Sequence, residues 1–227
     1  MFLFDSSFFL LIIPVMILAF WTQHNVKSTY TKYSKVKNSL NISGAEVAEQ
    51  ILKKNGIFDV SVLVGKGFLI DHYHPGKKEV VLSEEVYYGT SVSSLSIAAH
   101  EVGHAIQHAR AYYPVVLRGG LLPVAQLGST LAFPLFFIGL IISSFPILMD
   151  IGILLFAGAL LFHVVTLPVE FNASRRALVQ LEDGFVRNQQ DLVNCKKVLN
   201  AAAMTYVAST LMALMQLIRM ILLRGRR

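Results

Sequence analysis

The residues in this chain best equipped for chemistry are His100, Glu101 and His104, which stand in the order His-Glu-Val-Gly-His. On a helix, residues four apart share one face about a turn apart. Both imidazoles can then reach one zinc ion, and the carboxylate beside the first is placed to take a proton from water at the metal. With seven His and eight Glu in 227 residues, composition alone yields the pattern about 0.008 times per chain of this kind. Chance is a poor account of it. His108 continues the stripe by one turn, as a further donor beside the site or a substrate contact. Ile97, Ala98, Ala99, Ala105 and Ile106 give the same helix an apolar back, so it should pack on a core and show its polar face to a cleft.

A catalytic zinc takes three protein ligands and keeps one position open. The single Cys195 supports neither a cysteine-built site nor a disulfide framework, which leaves His and carboxylates. Glu170 is favoured as the third ligand because it follows Pro168 at the end of a long apolar run, where a carboxylate needs a partner or a function. Glu84 and Glu85, or Glu182 with Asp183, are the alternatives.

The elements that must position these groups follow from composition. Hydrophobic residues make up 54% and charged ones 15%, against about 25% charged in soluble domains, and the mean hydropathy is +0.56. A soluble globule, a disordered chain, collagen and coiled coil are all excluded. The net charge of +6 comes from basic residues that flank apolar runs, as in membrane proteins, and do not form the aromatic-interleaved patches of a nucleic-acid binder. No nucleic-acid partner is expected.

Residues 8–21 read as a short, uncleaved first membrane helix, because no positive charge precedes the run and no small-residue cleavage site follows it. Residues 121–143 and 145–167 form a membrane hairpin turning at Ser143, Ser144 and Pro146, each run long enough for about 30 Å of hydrocarbon. Residues 201–223, which include Gln216 and Arg219, are a possible fourth span. Residues 22–120 are a polar zincin region and residues 168–200 carry the third ligand. Eleven Lys or Arg lie in 22–120 and none at the hairpin turn, so the Lys/Arg bias puts both polar regions in the cytoplasm. A fourth span would then leave the tail of Arg224, Arg226 and Arg227 outside, against that bias.

Within 22–120, Ser43 caps a helix that stops at Gly56. Asp59 to Val64 and Lys78 to Ser83 read as two strands separated by a turn over Asp71 to Gly76. Ser91 to Arg110 is the helix of the His-Glu-x-x-His motif.

The segment Ala98-Ala99-His100-Glu101-Val102-Gly103-His104-Ala105-Ile106-Gln107-His108, and later Leu167-Pro168-Val169-Glu170-Phe171-Asn172-Ala173-Ser174-Arg175-Arg176-Ala177, resembles the YugP-like neutral zinc metallopeptidases of bacterial membranes. Ser43-Gly44-Ala45-Glu46-Val47-Ala48, Asp71-His72-Tyr73 and Leu82-Ser83-Glu84-Glu85-Val86-Tyr87 extend the likeness over nearly the whole chain. The resemblance implies His100, His104 and Glu170 as ligands of one Zn2+ per chain and Glu101 as the catalytic acid/base. That family is itself distantly similar to HtpX-like membrane proteases, where an Asp four residues after the third ligand steadies a ligating His. Here that position is Ser174, which leaves Asn172, Ser174 or Asp71 for the role. Arg175 and Arg176 are candidates for a substrate carbonyl or oxyanion, or for lipid headgroups.

The expectation is a mainly α-helical integral membrane protein with about four transmembrane helices and a small zincin-type α+β metallopeptidase domain. It would be a multi-pass protein of the bacterial cell membrane, hydrolysing membrane-associated proteins or peptides at the cytoplasmic face. Strand addition along Lys78 to Ser83 could hold an extended peptide. The alternatives are an intramembrane, site-2-like metalloprotease and a non-catalytic membrane scaffold with a structural zinc. Ser91, Ser93, Ser94, Ser96, Gln107 and Arg110 make the motif helix too polar for a lipid-facing span.

Overall fold

The computed structural model describes residues 6–142 and 144–225. Asp5, Ser143, Arg226 and Arg227 lie outside the described residues. After a π-helical turn at Phe8–Ile12, the elements are α1 (Ile13–Tyr33), α2 (Gly44–Lys54), β1 (Ser61–Gly65), β2 (His72–His74), β3 (Glu79–Ser83), α3 (Glu84–Tyr87), α4 (Val92–Ala109), α5 (Tyr113–Ile141), α6 (Ile147–Glu182) and α7 (Gln189–Gly225). The chain divides into two units. One holds residues up to Gln23 with Val116–Pro168 and Thr205 onward; the other holds His24–Val115 and Val169–Met204.

The first unit is helical and apolar. Among the described residues, four helices are long and apolar enough to cross a bilayer: Phe8–Tyr33, α5, α6 and α7. The protein is thus a mainly α-helical membrane protein with a small sheet, and α4 is not one of the four spans. In this unit α5 and α6 approach through small residues. A Cβ on Gly152 would stand 2.7 Å from the Ala132 carbonyl oxygen, and one on Gly128 would meet that of Leu155. Close backbone approach through small residues is how helices associate where lipid is as apolar as the side chains. Phe136, Leu140, Met149, Phe156 and Met220 fill the remaining space. Arg219 is buried, with its guanidinium 5.3 Å from the centroid of the Phe8 ring.

Arg224 near the end of α7 makes a two-point pair with Asp150 at the start of α6, Nε to Oδ1 at 2.8 Å and Nη2 to Oδ2 at 3.1 Å. The C-terminal end of α7 therefore lies beside the N-terminal end of α6, and the two helices run antiparallel. The Arg224 cation is thereby matched by a local anion.

The second unit packs α2, α4 and the sheet around Val47, Ile51, Val80, Leu82, Leu95, Val102, Leu181 and Leu199. Fully burying a Leu or Ile side chain contributes about 1.5–3 kcal/mol, so this cluster fixes the register of α4. Helix α2 opens with a reciprocal cap: the Glu46 N–H donates to Ser43 Oγ and the Ser43 N–H to the Glu46 carboxylate. Helix α4 starts at Ser91, whose hydroxyl accepts the Ser94 N–H at 3.0 Å. Its buried serines are satisfied by carbonyls: Ser93 donates to Tyr30 O and Ser96 to Val92 O. These serines seat α4 in a protein core and not in lipid. The helix ends where Ala111 takes φ +46°. The N–H groups of Ala111 and Tyr112 then turn back to the carbonyls of His108 and Gln107, the pairing that closes a helix through a left-handed residue.

The sheet corrects two sequence expectations. It has three strands in the order β1-β3-β2, with β2 formed by His72–His74 inside the segment read as a turn. Three residues are too few to show an alternating pattern, which is why the sequence hides this strand. β3 pairs parallel with β1 and antiparallel with β2, so it is the central strand. With both edges paired, Lys78 to Ser83 has no free ladder to offer a peptide.

Two outcomes test this architecture. A Cβ on Gly103 would lie 2.6 Å from the Ala173 carbonyl oxygen, so Gly103→Ala is expected to destabilise the protein by about 1–3 kcal/mol, seen as a lower Tm in detergent. Single cysteines in a Cys195→Ala background at Ser144 and at Gly225 should react with an impermeant maleimide from the same side of the membrane. Labelling from opposite sides would contradict the antiparallel pairing of α6 and α7.

Candidate metal centre

The motif helix α4 and the segment of α6 after Pro168 meet at their backbones, because Gly103 has no side chain to hold Ala173 away. Around that contact the two helices pair residue by residue: His100 with Ser174, His104 with Glu170, and Gln107 with Val169 and Asn172. The pairs ascend in α4 as they descend in α6, so these segments are antiparallel.

One donor atom each from His100, His104 and Glu170 lies within 4.8 Å of the other two. Glu170 Oε2 is 3.4 Å from His100 Nε2 and 3.5 Å from His104 Nε2. A direct charge-assisted hydrogen bond would draw such atoms to about 2.7–2.9 Å. Tetrahedral zinc with donors at about 2.0–2.2 Å keeps neighbouring donors about 3.3–3.6 Å apart. The two Glu170-to-imidazole separations match edges of that tetrahedron, and all three donors lie within 4.8 Å of one another. Glu170 is 3% exposed, and a carboxylate so deeply buried calls for compensating charge. Two imidazoles and one carboxylate are a donor set that fits a divalent cation such as zinc, with the Glu101 carboxyl group close by.

Both imidazoles are steered from behind. Ser174 Oγ is 3.1 Å from His100 Nδ1. Gln107 is completely buried; its Nε2 faces the Val169 carbonyl at 2.7 Å and Asn172 Oδ1 at 3.0 Å, and its Oε1 faces His104 Nδ1 at 3.0 Å. A carbonyl can only accept, so Nε2 donates there and Oε1 must accept from His104. His104 therefore carries its proton on Nδ1 and turns a lone pair on Nε2 toward Glu170. Arg176 strengthens the assignment: its Nε donates to Asn172 Oδ1 at 2.7 Å, and a guanidinium has no acceptor.

The remaining residues singled out from sequence are distributed as follows. Glu101 is buried beside the cluster but is not one of the three donors. His108 is exposed one turn beyond, where its Nδ1 meets the Tyr73 hydroxyl of β2 at 2.8 Å. Asn172 holds Gln107, so it acts on His104 through that amide. Asp71 takes the Ser83 N–H at 2.8 Å and the Ser83 hydroxyl, tying β2 to the end of β3, and it does not touch a histidine. Burial raises its carboxyl, against the lowering effect of those two hydrogen bonds. Arg175 and Arg176 line a separate cavity with Asn55 and Arg110, away from all three donors. Of the alternative ligands, Glu85 accepts from the Tyr30 hydroxyl and Asp183 pairs with Lys54. Gln107 is the residue the sequence reading passed over. Its signal was a Gln three residues after His104, on a helix face otherwise built for burial.

A helical membrane protein that brings the two histidines of a His-Glu-x-x-His helix to a buried glutamate defines the class of membrane zincins. Residues 8–225 match the family described as "Putative neutral zinc metallopeptidase", and the chain belongs to that family. It is 48% identical over 222 residues, 96% of this chain and 98% of the relative, to the "Putative membrane protease YugP" of Bacillus subtilis (strain 168). No solved structure matches it.

If Gln107 fixes the His104 tautomer, Gln107→Leu should weaken zinc binding by about 10–100-fold, read by competition with a chromophoric chelator in detergent. Unchanged affinity would remove the role assigned to Gln107.

Proposed function

We propose that this chain is a membrane-bound zinc endopeptidase with one ion held by His100, His104 and Glu170 and with Glu101 as its acid/base. The observation that carries this reading is the set of Glu170-to-imidazole separations at 3.4 and 3.5 Å on a His-Glu-x-x-His helix. Zinc held by these three residues would supply a Lewis acid that activates water near neutral pH and polarises a scissile carbonyl. The chain supplies the rest. Ser174 and Gln107 hold the two imidazoles with Nε2 presented to the ion. Glu101, left out of the donor set, accepts the proton of the attacking water and returns it to the leaving amine.

A structural zinc takes four protein ligands, whereas three donors converge here among the described residues. That favours an open, catalytic site over a scaffold. Intramembrane proteolysis places the motif in a lipid-facing span, and α4 is too rich in buried serine for one. Glu170 comes two residues after Pro168, where α6 passes from the apolar unit to the other. The Lys/Arg bias of residues 22–120 supports a cytoplasmic site, with membrane-associated proteins or peptides as substrates.

The test measures zinc content and cleavage of an unfolded membrane-protein substrate by wild type, Glu101→Gln and Glu170→Ala purified in mild detergent. Glu101→Gln should keep its zinc and lose about 10²–10⁴-fold in rate, while Glu170→Ala should lose the zinc. Activity retained in Glu101→Gln overturns the mechanism, and full zinc loading of Glu170→Ala overturns the ligand set.

A further inference from the structure

On the side of the α4–α6 pair away from the three donors lies a cavity of about 490 Å³. Its walls come from three helices, and the polar groups are Asn55, Arg110, Asn172, Arg175, Arg176 and Gln180, with no carboxylate among the lining residues. Positions two apart on a helix point about 200° away from each other, which is why Asn172 faces this cavity while Glu170 and Ser174 face the imidazoles. Three guanidinium groups around one cavity repel each other unless an anion sits among them.

Part of the cavity wall is also built, in that Asn55, Gln180, Asn172 and Arg176 are held, while Arg110 and Arg175 are exposed at its rim. The Asn55 amide donates to Gln180 Oε1 at 3.0 Å and to the Ile51 carbonyl at 2.8 Å. Arg176 is half-buried, lies 5.8 Å over the Tyr112 ring and gives Nε to the buried Asn172. A guanidinium has five N–H donors in a planar fork suited to bidentate contact with phosphate, and Arg176 spends one of them among the described residues. The side chains of Arg110 and Arg175 make no hydrogen bond or ion pair among the described residues, and the Arg110 N–H donates to the Ile106 carbonyl at 3.0 Å.

We propose that this cavity binds a phosphate group, with Arg110, Arg175 and Arg176 as its ligands. The phosphate can belong to an anionic phospholipid headgroup or be free in solution, and either is recognised by the same guanidinium chemistry. The site is connected to the metal centre. Arg176 holds Asn172, Asn172 holds Gln107, and Gln107 holds His104, a continuous hydrogen-bond chain from the cavity to one of the three donors. Phosphate that engages Arg176 acts on that chain at its first link. This connection rests on the zinc reading above; the phosphate site itself does not.

The test uses full-length protein in a zwitterionic detergent and follows Tm against inorganic phosphate, and separately against dimyristoylphosphatidylglycerol or dimyristoylphosphatidylcholine in mixed micelles. Wild type should be stabilised by phosphate, by phosphatidylglycerol or by both. Response to both marks a site open to free phosphate, and response to phosphatidylglycerol alone marks a headgroup site. Arg110→Gln/Arg175→Gln should need at least tenfold more of the same probe for the same shift, whereas Lys77→Gln/Lys78→Gln, which removes equal charge outside the cavity, should not. Arg110→Lys/Arg175→Lys, which keeps the charge, should recover part of the response if the first variant folds poorly. No stabilisation of wild type, or an equal loss in the Lys77/Lys78 variant, overturns the proposal. For the connection, Arg176→Gln should weaken chelator-measured zinc affinity several-fold. Failure of wild type to bind zinc would overturn the metal reading and leave the phosphate result standing.

Discussion

Everything at the candidate metal centre depends on how closely α4 and α6 approach. Gly103 lies inside the His-Glu-x-x-His motif, at a position the metal chemistry leaves unspecified, and it lets the Ala173 backbone come close enough that a Cβ would clash with its carbonyl. Only at that spacing do Glu170, Ser174 and Asn172 reach across to His104, His100 and Gln107. A wider gap would leave Glu170 buried and beyond reach of the imidazoles, a costly place for a carboxylate. The glycine is thus a packing requirement embedded in the His-Glu-x-x-His motif.

The contact works because both helices are rigid where they meet. Helix α4 is locked by Leu95, Ala98 and Val102 in the core and by serines whose hydroxyls are all satisfied. The end of α6 is anchored by Ala177 and Leu181 in the same cluster. Polar groups then do what apolar packing cannot. Gln107, pinned by two acceptors, assigns the His104 proton to Nδ1, and neutral Ser174 rather than a carboxylate stands behind His100. The two imidazoles are accordingly supported by hydrogen bonds without added negative charge, so the charge of the centre resides in Glu170 and Glu101.

Much of this is legible in the sequence. Periodicity and capping residues marked α2 and α4, since Ser43, Ser91 and Gly56 carry local signals that need no tertiary context. Long apolar runs marked the membrane helices, because a bilayer tests length and hydropathy and little else. β2 and the central position of β3 were not legible: a three-residue strand has no pattern, and strand order depends on which partners meet in space. The pairing of Arg224 with Asp150 was equally hidden, 74 residues apart in sequence. It explains how a basic end of α7 is accommodated beside the start of α6.

By itself the sequence determined the chemistry available: a membrane protein with one cysteine, a two-histidine helix with its own carboxylate, and a glutamate at the end of an apolar run. Residue type and helical spacing suffice for that, since both are local. Tertiary structure alone decided which groups meet. It set Glu170 against both imidazoles and left Glu85 and Asp183 to other partners. It turned Arg175 and Arg176 into a cavity of their own, and gave Gln107 a role that no motif announced. Those outcomes follow from the register and close approach of two antiparallel helices, and register is fixed by the whole packed core, which no single stretch of sequence contains.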